Sequence, residues 1–343
     1  MVVMKYIRGG LTAAAVLAMG MGALVTSSSP ASAKKIMIKM GHPLPPPTSL
    51  HKWAVILKTG LEKRIGDKVE MRIFPVSQLG SIPRMIEGAQ LGTIEMIQMP
   101  PAFFTGLDPR FGVLSSPGIF SGIAHGHRTI QDSEFKKAFW PIGERKGLKM
   151  IGMSCDADTA YATTKPIRTL ADFRGRKLRV FGSKFEIETL KRVGATGVPM
   201  PLSEVIPAIQ QNTIDGNKAA IVVFVPFKYQ TVAKYVLKAK SSIICINHMA
   251  SKIWFDKLPR DIQTVIMEES AKADKQIISF AVNLNKKLYG IWTKTGGVLS
   301  ELSDTDQAEF NRRLSTVGEE VLKSQPGSLK MYKLMKKIAA RTR

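Results

Sequence analysis

The chain has 343 residues, of which 44% are hydrophobic, and its 50 Lys and Arg residues against 27 Asp and Glu residues give a net charge of +23. This hydrophobic content excludes a disordered chain, and the length suffices for two lobes that each have a core. The basic residues are spread along the sequence without a long cluster. We therefore expect a solvated basic surface and no nucleic-acid partner.

The N-terminal residues have the pattern of an export signal. Two basic residues precede the apolar run 11–25, and Ala31-Ser32-Ala33 has the small-residue spacing that a signal peptidase requires. The apolar run is shorter than the ~20 residues that span a bilayer, although a retained membrane anchor is the alternative interpretation. We predict a signal peptide at 1–33 and a mature protein in the periplasm.

Strand-like and helix-like stretches then alternate along the mature chain, which predicts an α/β architecture with a mostly parallel sheet. Pro259 opens one very long helical stretch that could cross the whole molecule. No repeat or linker separates the stretches, so we expect two lobes that the chain enters by several crossings. The predicted strands are 35–42, 68–75, 93–99, 148–155, 175–182, 195–200, 213–224 and 240–249.

The two cysteines, Cys155 and Cys245, each lie in an apolar run that is typical of a buried strand. Export permits a disulfide between them, but two buried thiols are the slightly favoured interpretation. His125 and His127 have no second ligand pair nearby, so we interpret them as part of a surface turn and expect no metal site.

The sequence contains none of the local signatures of catalysis: no G-x-S-x-G, no G-x-x-x-x-G-K-[ST], no H-E-x-x-H and no G-x-G-x-x-G. A catalytic set assembled from distant residues leaves no local trace. A secreted enzyme with Asp158 or Glu95 as its base is therefore an alternative, but we expect a binding protein without a cofactor.

Arg179 lies at the end of a predicted strand, and a helix follows it. Ser183 and Glu186 have the spacing of a capping box at the start of that helix. In an open α/β sheet, ligands bind beyond the carboxyl ends of strands, close to helix N-termini. Arg179 could therefore bind a carboxylate there through both guanidinium nitrogens, while a surface ion pair across strands explains it equally well.

Four stretches, in this order behind an export signal, resemble the DctP-type solute-binding proteins of TRAP (tripartite ATP-independent periplasmic) transporters. The resemblance implies a periplasmic receptor with two lobes that closes on a small organic acid and delivers it to the TRAP permease subunits of the membrane. It also implies that Arg179, the arginine of "GRKLRV", binds the ligand carboxylate. The stretches are "FPVSQLGSIPRMIEGAQLGTIEM" (74–96), "KPIRTLADFRGRKLRV" (165–180), "GATGVPMPLSEVIPAIQQNTIDG" (194–216) and "WFDKLPRDIQ" (254–263).

The chain departs from this family pattern at two places. Many relatives have a second arginine seven or eight residues before the proline of "KPI", where this chain has Asp158 and Thr159. Relatives commonly read Gln-Glu-Asn after "IDG", where this chain has Asn217, Lys218 and Ala219, so the contact made by the asparagine is lost or replaced. Asp158 could accept a hydrogen bond from a ligand hydroxyl or amine, or it could simply be solvated.

Further candidates for the ligand site end other predicted strands: His42, Gln98, Met99 and Phe224. Such a set around one charged anchor would suit a monocarboxylate with an apolar or aromatic body. For each of these residues, packing in the core is an equally good explanation.

The family layout implies a lobe I of residues 34–154 with about 246–285, and a lobe II of 155–245 with about 291–303. A helical segment at 304–343 follows. We expect hinge strands near the two cysteines, a long helix that spans both lobes, and a monomer. A binding protein that feeds a membrane signalling receptor, rather than a permease, is the main alternative function.

Overall fold

The computed structural model describes residues 35–343, so the predicted signal peptide lies outside the described residues. The strands of this part of the chain form two sheets. They are β1 (Ile36–Gly41), β2 (Val69–Phe74), β3 (Met96–Met99), β4 (Leu148–Asp158), β5 (Ala160–Thr163), β6 (Lys177–Val180), β7 (Thr196–Pro199), β8 (Gly216–Ala219), β9 (Tyr235–Lys238), β10 (Ile243–Ser251) and β11 (Val298–Glu301).

Helices connect and cover the strands, and several short 3₁₀ turns lie between them. None of the helices in residues 35–343 is both long enough and apolar enough to cross a membrane. The α-helices are α1 (Ser49–Ile65), α2 (Ile82–Leu91), α3 (Ile123–Gln131), α4 (Ser133–Phe139), α5 (Lys184–Arg192), α6 (Leu202–Gln210), α7 (Ile221–Phe224), α8 (Lys252–Phe255), α9 (Arg260–Lys294), α10 (Asp304–Leu314), α11 (Val317–Leu322) and α12 (Pro326–Arg341).

Both sheets are mixed, which corrects the prediction of a mostly parallel sheet. The first sheet has the order β2-β1-β3-β10-β4, and the second has the order β11-β9-β5-β8-β6-β7. The pairs on either side of β1 and of β6 are parallel, as strand–helix alternation predicts. The antiparallel pairs involve β10 in the first sheet and β5 in the second, because these strands belong to the segments by which the chain changes sheet.

The chain leaves the first sheet where β4 ends at Asp158 and enters the second at Ala160. It returns between Lys238, at the end of β9, and Ile243, at the start of β10. The predicted lobe boundaries near residues 154 and 245 lie within β4 and β10, and these boundaries stay predictions. Residues 304–343 contain the three helices α10, α11 and α12.

The predicted long helix is α9, which has 35 residues and begins directly after Pro259. At 1.5 Å per residue it is about 50 Å long. It packs against α1 and β4 of the first sheet and also against α7 and β11 on the side of the second sheet. The helix therefore spans both lobes, as the sequence predicted.

Asp274 of α9 connects the helix to the first sheet. Its fully buried carboxylate accepts hydrogen bonds from Trp53 Nε1 at 2.8 Å, from the Met153 backbone N–H at 3.0 Å and from Gln131 Nε2 at 3.1 Å. Burial raises the pKa of Asp274 to about 7, although the three donors act in the opposite direction. The Trp53 ring in turn stacks on His248 of β10, with 3.8 Å between ring centroids.

The preference for two free thiols was wrong. Cys155 of β4 and Cys245 of β10 form a disulfide bond. The two residues are direct partners in the antiparallel ladder of these strands, so the strand pairing brings their side chains together. The apolar runs predicted a buried strand around each cysteine, but they did not show that the two strands are neighbours.

The interpretation of His125 and His127 as a surface turn was also wrong. Both residues lie in α3 and are buried. His125 Nε2 lies 2.8 Å from the backbone carbonyl oxygen of Ala339 in α12, so this histidine joins the C-terminal helix to α3.

Candidate functional site

Arg179 is the third residue of β6, and only 1% of its surface is exposed. The helix α5 follows, with Ser183 as its N-cap accepting a hydrogen bond from the backbone N–H of Phe185. The predicted capping box is incomplete, because Glu186 instead accepts a hydrogen bond from the backbone N–H of Phe181 at 3.1 Å. This bond fixes the turn between β6 and α5 beside the arginine.

The guanidinium of Arg179 has neutral partners. Its Nε donates to the carbonyl oxygen of Met200 at 2.9 Å, and one terminal nitrogen donates to Asn217 Oδ1 at 3.4 Å. The other, Nη2, is buried without a hydrogen-bond partner among residues 35–343. Burial lowers the pKa of Arg179 to about 10, so the side chain stays protonated at neutral pH.

Two phenylalanine rings flank this cation. The guanidinium carbon lies 4.7 Å from the centre of the Phe181 ring and 5.8 Å from that of Phe103. The two rings stack on each other with centroids 5.3 Å apart. Aromatic faces attract a guanidinium and also restrict its movement, so the rings hold Arg179 in one orientation.

Arg179 lines a cavity between elements of the two sheets. Apart from Arg179 and Asp156, every side chain that lines the cavity is apolar. One wall comes from the first sheet and its helices, and the opposite wall comes from the region of β6, α6 and α7. The apolar lining residues are Pro43, Leu44, Leu50, Ile82, Pro100, Phe103, Phe181, Leu202, Val222, Val223, Ile244 and Ile246.

Asp156 of β4 was not among the residues predicted from the sequence. It is 2% exposed, and its Oδ1 has no hydrogen-bond partner in the part of the chain that the structure describes. Burial raises the pKa of Asp156 to about 6, and the nearby Ser49 hydroxyl acts weakly in the opposite direction. The available signal was an acidic residue inside an otherwise buried strand.

The predicted residues of β8, Asn217 and Ala219, do not line the cavity, although Asn217 is the ladder partner of Arg179. Asn217 accepts a hydrogen bond from Arg179 and donates one through Nδ2 to the Tyr229 hydroxyl at 3.0 Å, so it links the guanidinium to Tyr229. Ala219 is buried in the ladder opposite Ala160 and does not line the cavity.

Asp158 and Thr159 do not line the Arg179 cavity, although Thr159 lines a second cavity that adjoins it. Asp158 lines a separate cavity with Lys240 and Tyr289, and burial raises the pKa of its carboxyl group. The Thr159 hydroxyl lies 2.8 Å from Ser241 Oγ at the return crossing. The second residue before the end of β4, Asp156, occupies the Arg179 cavity instead.

The candidates at the other strand ends do not line the Arg179 cavity. Gln98 and Met99 are buried in β3, and His42 follows β1 with its Nε2 3.2 Å from His51 Nδ1. Burial and the neighbouring imidazole lower the pKa of His42 to about 3. The prediction that Phe224 ends a strand was wrong: it ends α7 and packs between Tyr229 and Trp292.

A second cavity adjoins the first and shares Pro100, Phe181 and Ile244 with it. It contains a buried ion pair, in which Lys218 Nζ lies 2.9 Å from Glu186 Oε1. The charge of Lys218 is compensated within the protein. The ammonium group of Lys218 is therefore paired with Glu186, whereas the guanidinium of Arg179 has only neutral partners among the described residues.

A family model described as bacterial extracellular solute-binding protein, family 7 (DctP), matches residues 40–325. The chain belongs to this family. The identification as a DctP-type solute-binding protein is thereby confirmed. The family is one of binding proteins.

Relatives of this DctP-type protein match over nearly its whole length. The 2,3-diketo-L-gulonate-binding periplasmic protein YiaO of Escherichia coli (strain K12) is 26% identical over 321 residues, which cover 93% of this chain and 96% of YiaO. The C4-dicarboxylate-binding periplasmic protein DctP of Rhodobacter capsulatus is 25% identical over 319 residues, which cover 92% of this chain and 94% of that protein.

Among solved structures, a TRAP periplasmic solute-binding protein from Desulfovibrio salexigens with bound orotic acid has a TM-score of 0.85 to this chain. Its sequence identity is 24%, and the match covers 90% of this chain and 100% of that one. This likeness confirms the predicted α/β fold with two lobes.

Proposed function

We propose that this solute-binding protein binds a small monocarboxylate in the periplasm and delivers it unchanged to a TRAP permease. In this proposal Arg179 binds the carboxylate, and the apolar cavity wall encloses the rest of the ligand. The observation that carries the proposal is the buried guanidinium with one unpartnered nitrogen at the wall of a cavity in which Asp156 is the one other polar lining residue.

A buried cation without an anionic partner is costly, because desolvation of an ion costs several kcal/mol. No ion pair in residues 35–343 involves Arg179, and its hydrogen-bond acceptors are uncharged. A ligand carboxylate would supply the missing negative charge and an acceptor for Nη2. The ligands named for YiaO, for DctP of Rhodobacter capsulatus and in the Desulfovibrio salexigens structure are also organic acids.

The composition of the cavity wall favours one carboxylate over two. Arg179 is the only basic residue among the side chains that line the cavity, so a second carboxylate would be buried without a cation. A sugar acid would bury several hydroxyl groups against apolar side chains, at about 1–3 kcal/mol for each group left without a partner. An acid with an alkyl or aromatic body avoids both costs.

The test is isothermal titration calorimetry of the mature chain with alkyl and aryl monocarboxylates, dicarboxylates and sugar acids, followed by mass spectrometry of the recovered ligand. We expect a monocarboxylate to bind most tightly and to be recovered intact. Arg179→Ala should weaken binding by a hundredfold or more, and Lys177→Ala is the matched control, because that lysine is an exposed residue of the same strand. Equal affinity in Arg179→Ala, or conversion of the ligand, would overturn the proposal.

A further inference from the structure

We infer that Asp156 forms a second polar subsite in the Arg179 cavity, which accepts a hydrogen bond from a hydroxyl or ammonium group on the ligand. The inference rests on the proposed function, because it assigns the other polar group of the same ligand. The ligand class is then a monocarboxylate with an apolar body that also carries a hydrogen-bond donor.

The first observation is that Asp156 and Arg179 face one cavity from different elements. Asp156 belongs to β4 in the first sheet and Arg179 to β6 in the second. Both side chains line the same space, yet no ion pair joins them in the described part of the chain. Asp156 and Arg179 therefore do not neutralise each other, and each can bind a separate group of the ligand.

The second observation is the unpartnered carboxylate oxygen. Asp156 is 98% buried, and its Oδ1 has no hydrogen-bond partner among the described residues. An acceptor that is removed from water and left without a donor costs about 1–3 kcal/mol, and more when it is charged. A donor on the ligand would remove this cost on binding.

The third observation is that the other lining side chains offer no competing partner, since the Ser49 hydroxyl near Asp156 is not among them. Apart from Asp156 and Arg179, the side chains that line the cavity carry no polar group. Only one end of such a ligand can meet Arg179, so its hydroxyl or ammonium group would meet Asp156. A site that is built to hydrogen-bond one substrate group discriminates strongly against the analogue that lacks it.

The experiment compares three matched series of acids, from butanoate to octanoate: the unsubstituted acids, the terminal hydroxy acids and the terminal amino acids. The affinity of each acid for the mature protein is measured by calorimetry. We expect a hydroxy or amino acid to bind at least about tenfold more tightly than the unsubstituted acid of the same length. Equal or weaker binding of both substituted series at every length would overturn the inference.

The variants separate the contribution of Asp156 from that of Arg179. In Asp156→Leu the preference for the substituted acid should disappear, while the unsubstituted acid still binds through Arg179 and reports that the protein is folded. Asp156→Asn should retain a preference for the hydroxy acid and lose a preference for the amino acid, which distinguishes the two donors. Asp158→Asn changes the acid that lines the separate cavity, so the preference should persist.

Two failures are distinguishable. A preference that survives Asp156→Leu, or that is lost in Asp158→Asn instead, would overturn the role of Asp156 and leave Arg179 as the carboxylate site. Binding of the unsubstituted acids that survives Arg179→Ala would overturn the proposed function itself.

Discussion

Removal of the disulfide should lower the free energy of unfolding by several kcal/mol. The bond joins Cys155 and Cys245, which are 90 residues apart in the sequence. The loop that it closes contains β5 to β9, which are five of the six strands of the second sheet. In the chain-entropy model, closure of a loop of this length reduces the freedom of the unfolded chain by about 4–5 kcal/mol.

The measurement is urea unfolding of the oxidised mature protein and of Cys155→Ala/Cys245→Ala, followed by circular dichroism. We expect the double variant to lose about 4 kcal/mol and to have a larger denaturant dependence, because its unfolded state is more expanded. Wild-type protein refolded in a reductant keeps both sulfur atoms but loses the bond. Its difference from the double variant therefore measures the packing contribution alone.

Two results would contradict this prediction. If both cysteines react with an alkylating agent in unfolded protein that has never met a reductant, the disulfide is absent. If mass spectrometry demonstrates the bond but the double variant is destabilised by less than about 1 kcal/mol, then the closed loop has little effect on the unfolded chain.

Three further predictions concern stability. Asp274→Ala should lower the free energy of unfolding by about 3 kcal/mol or more, because three buried donors lose their acceptor. Asp274→Asn keeps one acceptor oxygen, so it should lower the free energy of unfolding by less in the same urea experiment. Burial raises the pKa of Asp274 to about 7 and that of Asp156 to about 6, so the folded state holds these protons more tightly than the unfolded chain. This stabilisation is present below pH ~4 and is lost as the pH rises through ~6–7, so unfolding measured across that window should become easier with pH, and less steeply so in Asp156→Asn. Gly216→Ala should destabilise the protein, because its Cβ would lie 2.2 Å from the backbone oxygen of Ala162. Gly290→Ala in α9 has nothing within 4 Å of its Cβ and should stabilise the protein by about 0.5–1 kcal/mol. Melting temperatures of both variants equal to that of the wild type would contradict both predictions.

The sequence predicted features that depend on local pattern. The Ser183 cap and the long helix after Pro259 follow from residue periodicity and capping chemistry. These rules act over a few residues, and the structure shows the cap and the helix where the sequence predicted them.

Two kinds of feature could not be predicted in the same way. One is the state of a continuous apolar run, and the other is the pairing of strands that are far apart in the sequence. "AAIVVF" is a continuous apolar run, which fits a buried strand or a buried helix equally well, so Phe224 was assigned to the wrong element. The pairing of β4 with β10 decides the state of the cysteines, and this pairing joins residues that are far apart in the sequence.

The acidic candidate illustrates the same limit. Spacing relative to the family pattern selected Asp158, but β4 ends at that residue and the chain turns toward the second sheet. Asp156, two residues earlier, is the one that lies inside the cavity with Arg179. Both residues belong to β4, so spacing along the sequence did not show which of them lies in the cavity.

The interior position of β10 determines the order in which an emerging chain can complete its sheets. In the first sheet β10 lies between β3 and β4, so β4 has no bond to β1, β2 or β3 except through β10. When the chain is synthesised from its N-terminus, β4 emerges early and cannot join the first sheet until β10, which ends at Ser251, has emerged. By then β5 to β9 have already emerged and can pair with one another. The first sheet, whose strands begin to emerge first, is therefore completed only after five of the six strands of the second sheet have emerged.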